Sequence, residues 1–205
     1  MIKASHHKVI FGIFKIYTRF SIALNFKKVE LIGSLPQSER SILLIANHFS
    51  WWDGFIALYL NMKFIKKRFY FMMLEEQLKR FWYFKFTGGF SVKKGSRSVI
   101  ESLNYASDLL KDRRNMVLIF PQGEIQTSHL MEFRFEQGVS RIVDRAGAGS
   151  SILLLVTLQD YFSNKKPSLY CYIKEAQPTD TIEQICSQYN DFYRSCLAQH
   201  INLKK

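Results

Sequence analysis

Residues 41–62 read SILLIANHFSWWDGFIALYLNM, and in that stretch Asp53 is the only Asp, Glu, Lys or Arg. A carboxylate in such apolar sequence is costly to bury unless something pairs with it. His48, five residues earlier, is the nearest titratable partner. The pair suits proton transfer. A carboxylate that accepts from one imidazole nitrogen fixes the tautomer and leaves the other nitrogen to take a proton. A base held in this way can assist an alcohol attacking an activated carbonyl with no covalent enzyme intermediate. No Ser or Cys lies in a GxSxG-type turn, which argues against a serine hydrolase. The same residues also fit a plain helix start, with Ser50 and Asp53 as caps and His48 in a turn. Spacing alone leaves both readings open.

The pair needs a scaffold, and the flanking sequence describes one. Ser41–Ala46 reads as a strand ending at Asn47, which would deliver His48 to the carboxyl edge of a sheet; Gly54–Asn61 reads as the following helix. Loops at such edges are where α/β proteins place their sites. Further strands are expected at Lys28–Ile32, Arg68–Leu74, Phe90–Val92, Met116–Phe120, Ile152–Leu158 and Leu169–Ile173. Helices are expected over Glu75–Phe86, from Ser98 to about Arg113, over Gly138–Ala146, and from Asp180 to about Asn202. Ser98 with Glu101, and Asp180 with Glu183, have the spacing of capping boxes. Alternating strands and helices predict an α/β fold: a single domain with a mostly parallel central sheet flanked by helices.

Two further segments bear on the chemistry. NHFSWWD (47–53) resembles the NHxSxxD block of the glycerolipid acyltransferases of the lysophosphatidate acyltransferase (PlsC-type) superfamily. IFPQGEIQ (119–126) resembles that superfamily's FPEGTRS block and again follows an apolar strand. Between them GGFSVKKG (88–95) is similar to the glycine, apolar, basic block, and FEQGVSRIVDRAG (135–147) to the stretch after the third block. Their order and spacing hold over residues 41–158. The resemblance implies an acyltransferase with His48 as general base and Asp53 as its orienting partner. The acyl donor would be acyl-CoA or acyl carrier protein, used as a co-substrate with no other cofactor. The acceptor would be a hydroxyl on a lipid. The candidate positions for substrate binding are Asn47, Ser50, Lys93, Lys94, Gln122, Gly123 and Glu124 within those blocks, and Arg97 just after the second.

Departures from the pattern bear on the acceptor. Gln122 and Ile125 stand where the resemblance calls for Glu and Arg to hold a phosphate region, Glu124 replaces Thr, and Lys94 replaces Arg. Arg grips phosphate in a bidentate fork, whereas Lys is a point charge. These changes weaken lysophosphatidate as acceptor. They bring in hydroxyl acceptors without a phosphomonoester, such as a lyso-aminolipid or a glycosylated or pigment lipid. Lys93, Lys94 and Arg97 fit either a phosphate contact or a solvated loop. Gly123 fits either a close backbone approach to the thioester, with neighbouring N–H groups as an oxyanion site, or an ordinary turn.

Composition decides between classes of partner. Across 205 residues, 29 Lys and Arg against 17 Asp and Glu leave a formal charge of +12, beside 18 Phe and 47 % hydrophobic residues. That excludes a disordered chain. Charge alone would suit nucleic acid, but no helix-turn-helix or RNP pattern supports it; no nucleic-acid or metal partner is expected. Cys171, Cys186 and Cys196 have no CxxC spacing, and His6, His7, His129 and His200 have no partner at ligand spacing. The apolar stretch 8–26 is broken by Lys15 and Arg19, which argues against a full span and against a signal peptide. Lys8, Lys15 and Arg19 share one helical face. Residues 1–27 are therefore expected to form an amphipathic helix, either in a bilayer interface or packed on the domain, ahead of an acyltransferase domain at 28–205. Phe81, Trp82, Tyr83, Phe84 and Phe86 cannot all share one buried helical face; some are expected to line a pocket or meet lipid. The location expected is peripheral, on the cytoplasmic face of a membrane. The alternative is a catalytically weakened relative that binds lipid or a partner.

Overall fold

The apolar runs pair into one seven-stranded sheet. The computed structural model describes residues 1–203 except 37–38, 147–148 and 178–180. Its strands are β1 (Lys28–Gly33), β2 (Ser41–Ala46), β3 (Arg68–Leu74), β4 (Gly89–Val92), β5 (Asn115–Ile119), β6 (Ser150–Asp160) and β7 (Ser168–Glu175). They lie in the order β1-β7-β6-β2-β5-β3-β4. Every pairing is parallel except β6 with β7. The helices are α1 (Lys8–Asn25), α2 (Asp53–Leu60), α3 (Glu75–Arg80), α4 (Ser98–Leu109), α5 (Gly138–Ala146) and α6 (Ile182–Ile201).

Strand β2 shows why two helical layers are needed. All six of its residues are buried, and successive side chains point to opposite faces. Leu43 and Ile45 pack with Leu103 of α4, Ile142 of α5 and Tyr189 of α6. Ile42, Leu44 and Ala46 pack with Ile22 of α1 and Ile56 of α2. A parallel sheet covered on both faces reads as a continuous apolar run rather than an alternating one.

Local expectations shift in three helical segments. Glu75–Phe86 does not form one helix: the chain leaves the α conformation at Phe81 and continues as a tighter turn over Trp82–Thr87. The break lets Phe84 point inward while Trp82 stays 60 % exposed. Helix α4 ends at Leu109, where the Asn115 side chain donates to the Leu109 carbonyl at 2.7 Å and closes the turn. Ser98 is the first residue of that helix rather than its cap, and its N–H goes to Ser96 Oγ. At α6 the cap is Thr181, which accepts from the Gln184 N–H; Asp180 lies outside the described residues.

Helix α1 divides its circumference in three. At 100° per residue, Thr18 and Ile22 fall on the face buried against the domain, joined by partly buried Phe11 and Phe14. Lys8, Lys15 and Arg19 form a basic flank. Val9, Ile13, Ile16, Tyr17, Phe20 and Leu24 form an outward stripe, each 53–66 % exposed. The helix packs on the domain through one face and carries a second, uncovered apolar face. No helix among the described residues is long and apolar enough to cross a membrane.

Candidate active site

The carboxyl ends of β2 and β5 lie side by side, with Ile45 opposite Ile119, and the loops that leave them build the site. Strand β2 ends at Ala46, and Asn47 extends its hold on β6: Oδ1 accepts from Thr157 N at 2.8 Å and Nδ2 donates to Thr157 O at 3.2 Å. Asn47 is 1 % exposed. Its amide is occupied by this side-chain imitation of strand pairing, so it fixes where the next residue begins.

That residue is His48. Its Nδ1 lies 3.0 Å from Asp53 Oδ2. The same oxygen accepts from the N–H groups of Phe49 and Ser50 at 2.7 and 2.8 Å, and Oδ1 accepts from Ser50 Oγ at 2.9 Å. Asp53 is only 7 % exposed, and these donors meet the cost of burying it. Asp53 is the first residue of α2, so part of the helix-start reading also holds, but the carboxylate reaches back to the imidazole as well. With Asp53 as acceptor, the proton sits on Nδ1 and Nε2 is left for chemistry. The His48 ring stacks on Phe120, with centroids 4.0 Å apart and planes within 11°.

The loop after β5 holds the other side. Gln122 is 4 % exposed; its Oε1 accepts from His48 N at 2.6 Å and its Nε2 donates to Gln126 Oε1 at 2.6 Å. Gln126 N donates to His48 O at 2.9 Å. Both backbone polar groups of His48 are therefore held by residues 122 and 126. Gly123 has φ +71°, and a Cβ there would meet Lys94 Nζ and Glu136; its own N–H donates to the Phe120 carbonyl. A glycine is needed at this turn for conformation and space.

A cavity of about 480 Å³ opens beside the pair, with His48 in its wall. Phe14, Trp51, Phe55, Phe71 and Phe84 form much of its apolar lining. Among the described residues, Lys94, Glu124 and Glu136 are the Lys, Arg, Asp and Glu residues of that wall. Lys94 is bonded to Glu136 at 2.9 Å. Lys93 and Arg97 are exposed and outside the lining. The structure thus gathers His48, Asp53, Ser50, Gln122, Gly123, Glu124 and Lys94 at one place, with Asn47 behind them and Lys93 and Arg97 beyond the rim.

Other reactive groups lie elsewhere. Burial pushes the Cys171 and Cys196 thiols up to about 12 and raises that of Cys186, which disfavours the nucleophilic thiolate. His200, unassigned from sequence, has Nε2 2.6 Å from Asp160 and Nδ1 3.1 Å from the Tyr172 hydroxyl. His6 bonds the Phe69 carbonyl, and burial lowers its pKa. Among the described residues no His, Cys, Asp and Glu side chains group as a metal site. Phe120, Gln126 and Glu136 were not singled out from sequence as site residues, although each lies in or beside the two downstream segments.

Comparison with known proteins identifies the family. A family model described as Acyltransferase matches residues 27–156, which is more than half of the chain. No curated protein matches the chain.

Proposed function

Because the chain belongs to the acyltransferase family, the PlsC-type glycerolipid acyltransferases, we propose that it transfers a fatty acyl group from acyl-CoA or acyl carrier protein to a lipid hydroxyl at a membrane surface. The carrying observation is the His48–Asp53 pair in the wall of an apolar cavity. The acceptor hydroxyl attacks the thioester carbonyl while His48 Nε2 takes its proton. Asp53 stabilises the imidazolium through Nδ1. Collapse of the tetrahedral intermediate breaks the C–S bond, and the imidazolium returns the proton to the leaving thiolate. An ester and a free thiol result. The aromatic lining gives an acyl chain an apolar environment.

The rim favours a particular acceptor. Lys94 is matched by Glu136, and Glu124 adds a second carboxylate to the wall. Gln122 is engaged in holding His48. Among the described residues no arginine lines the cavity, so a phosphomonoester would meet a rim without a guanidinium fork. The acceptor is a hydroxyl lipid lacking that group, such as a lyso-aminolipid or a glycosylated or pigment lipid. Lys93 and Arg97, exposed beside the rim, are available to the phosphates of the donor. Residues 1–27 serve as a surface anchor for the catalytic domain at 28–205, with the outward stripe of α1 in lipid and its basic flank toward anionic headgroups on the cytoplasmic face.

The test is an acyl-transfer assay with acyl-CoA and acyl carrier protein donors against vesicles carrying lyso-aminolipid, glycolipid or lysophosphatidate acceptors. Transfer to a hydroxyl acceptor without a phosphomonoester is expected. Preference for lysophosphatidate would overturn the acceptor assignment. No transfer from either donor to any acceptor, with lipid binding retained, would make the protein a lipid-binding relative.

A further inference from the structure

The turn between β6 and β7 has features that the acyl-transfer site does not use. Its sequence is Tyr161-Phe162-Ser163-Asn164-Lys165-Lys166, two aromatics and two lysines with no acid. Tyr161 is 55 % and Phe162 38 % exposed; both lysines are exposed. Phe162 has φ +45°, as the first central residue of a turn between antiparallel strands requires, at a position where glycine is the usual residue and a bulky aromatic is rare. The turn is ordered from within: Asn164 N donates to the Tyr161 carbonyl at 2.9 Å. It is also fastened to the end of α1, since Lys27 Nζ donates to Asn164 Oδ1 at 2.7 Å and Lys27 N to the Pro167 carbonyl at 2.8 Å. Leu24 and Phe20, the last residues of the outward stripe of α1, lie just before that junction.

The position has a functional consequence. Strand β6 runs parallel to β2, so the turn that follows Asp160 projects from the same end of the sheet that carries His48. The nearest acid in sequence, Asp160, is engaged by His200. Aromatic side chains and lysines together form the combination that settles at an anionic interface: the rings enter the headgroup region while the ammonium groups meet lipid charge.

We propose that the β6–β7 turn is a second contact with an anionic lipid bilayer, continuing the surface begun by α1. Two contacts joined through Lys27 hold the sheet end that carries His48 toward the bilayer, where a lipid acceptor resides. This rests on the reading of α1 as a membrane anchor, so the experiment includes both elements.

The full chain is sedimented with phosphatidylcholine vesicles, with and without about one-third phosphatidylglycerol. Three variants are compared: Tyr161→Ser with Phe162→Gly, Lys165→Gln with Lys166→Gln, and Ile13→Ser with Ile16→Ser and Phe20→Ser. Glycine accepts the positive φ at 162, so the first variant relieves strain rather than adding it. The aromatic variant is expected to lower partition onto anionic vesicles roughly tenfold. The lysine variant should lower it about fivefold per lysine on anionic vesicles and leave neutral vesicles unaffected. If both turn variants bind like the unmodified chain while the α1 variant loses binding, the turn is not a lipid contact and the α1 reading survives. If the unmodified chain ignores anionic vesicles, both fail. Turn variants that keep vesicle binding but lose binding to purified acyl carrier protein would overturn the lipid assignment in favour of a protein-docking surface.

Discussion

The cavity has two ends that were built differently. At the His48 end the polar groups are buried and cross-linked: Asp53 accepts from two backbone N–H groups, a hydroxyl and the imidazole, and Gln122 and Gln126 hold the backbone of His48. At the rim, Lys94 and Glu136 form one exposed pair, 50 % and 56 % accessible, and Glu124 stands in the open. Exposed pairs contribute little, about 0–1 kcal/mol. Losing one partner of a buried network leaves the others unsatisfied and costs more. On the proposed function, geometry for proton transfer is stored where replacement is expensive, and selection of the acceptor where replacement is cheap.

If the buried end carries the chemistry, substitutions there should dominate. His48→Ala is expected to lower the rate of acyl transfer by roughly 10²–10⁴, measured at saturating donor with circular dichroism as the folding control. Asp53→Asn should cost on the order of 10²-fold in kcat, and it should also lower the melting temperature, because an amide cannot accept at both positions that the carboxylate fills. Gln122→Ala should cost about tenfold in kcat with KM little changed, since it displaces the base rather than the substrate. An increase in KM alone would instead assign Gln122 to substrate binding.

At the rim the effects should be smaller and should alter preference rather than rate. Glu124→Thr with Ile125→Arg installs a guanidinium beside the cavity and removes a carboxylate. The ratio of lysophosphatidate to non-phosphorylated acceptor turnover should rise by about tenfold, the scale of one charged hydrogen bond. Equal loss with every acceptor would mean that the two ends of the cavity are not separable.

The division between the ends also decides what could be read from sequence. Asp53 was conspicuous because nothing charged surrounds it in residues 41–62, and a buried carboxylate must find a partner. The sheet was legible because strands covered on both faces, such as 42–46, are continuous apolar runs. The clamp by Gln122 and Gln126 was not, since an amide in a loop has no periodic signature and its partner, His48, lies 74 residues from Gln122. The pairing of Lys94 with Glu136 spans 42 residues and depends on how the turn at Gly123 folds. The break at Phe81 was foreseeable only as a conflict, five aromatics on one helical segment. Helix α1 could be read as packed or as interfacial because its apolar residues fill two faces, and only the fold shows which of them the domain covers.

We propose direct transfer, with His48 activating the acceptor and no acylated protein between donor and product. It is tested most directly by mixing the protein with stoichiometric acyl thioester, with and without a hydroxyl acceptor in vesicles, and following intact-protein mass and products together. The prediction is an unmodified protein mass throughout, thioester cleavage that depends on the acceptor, and one ester formed per thiol released. A protein mass increased by one acyl group, which then disappears as ester forms, would contradict it.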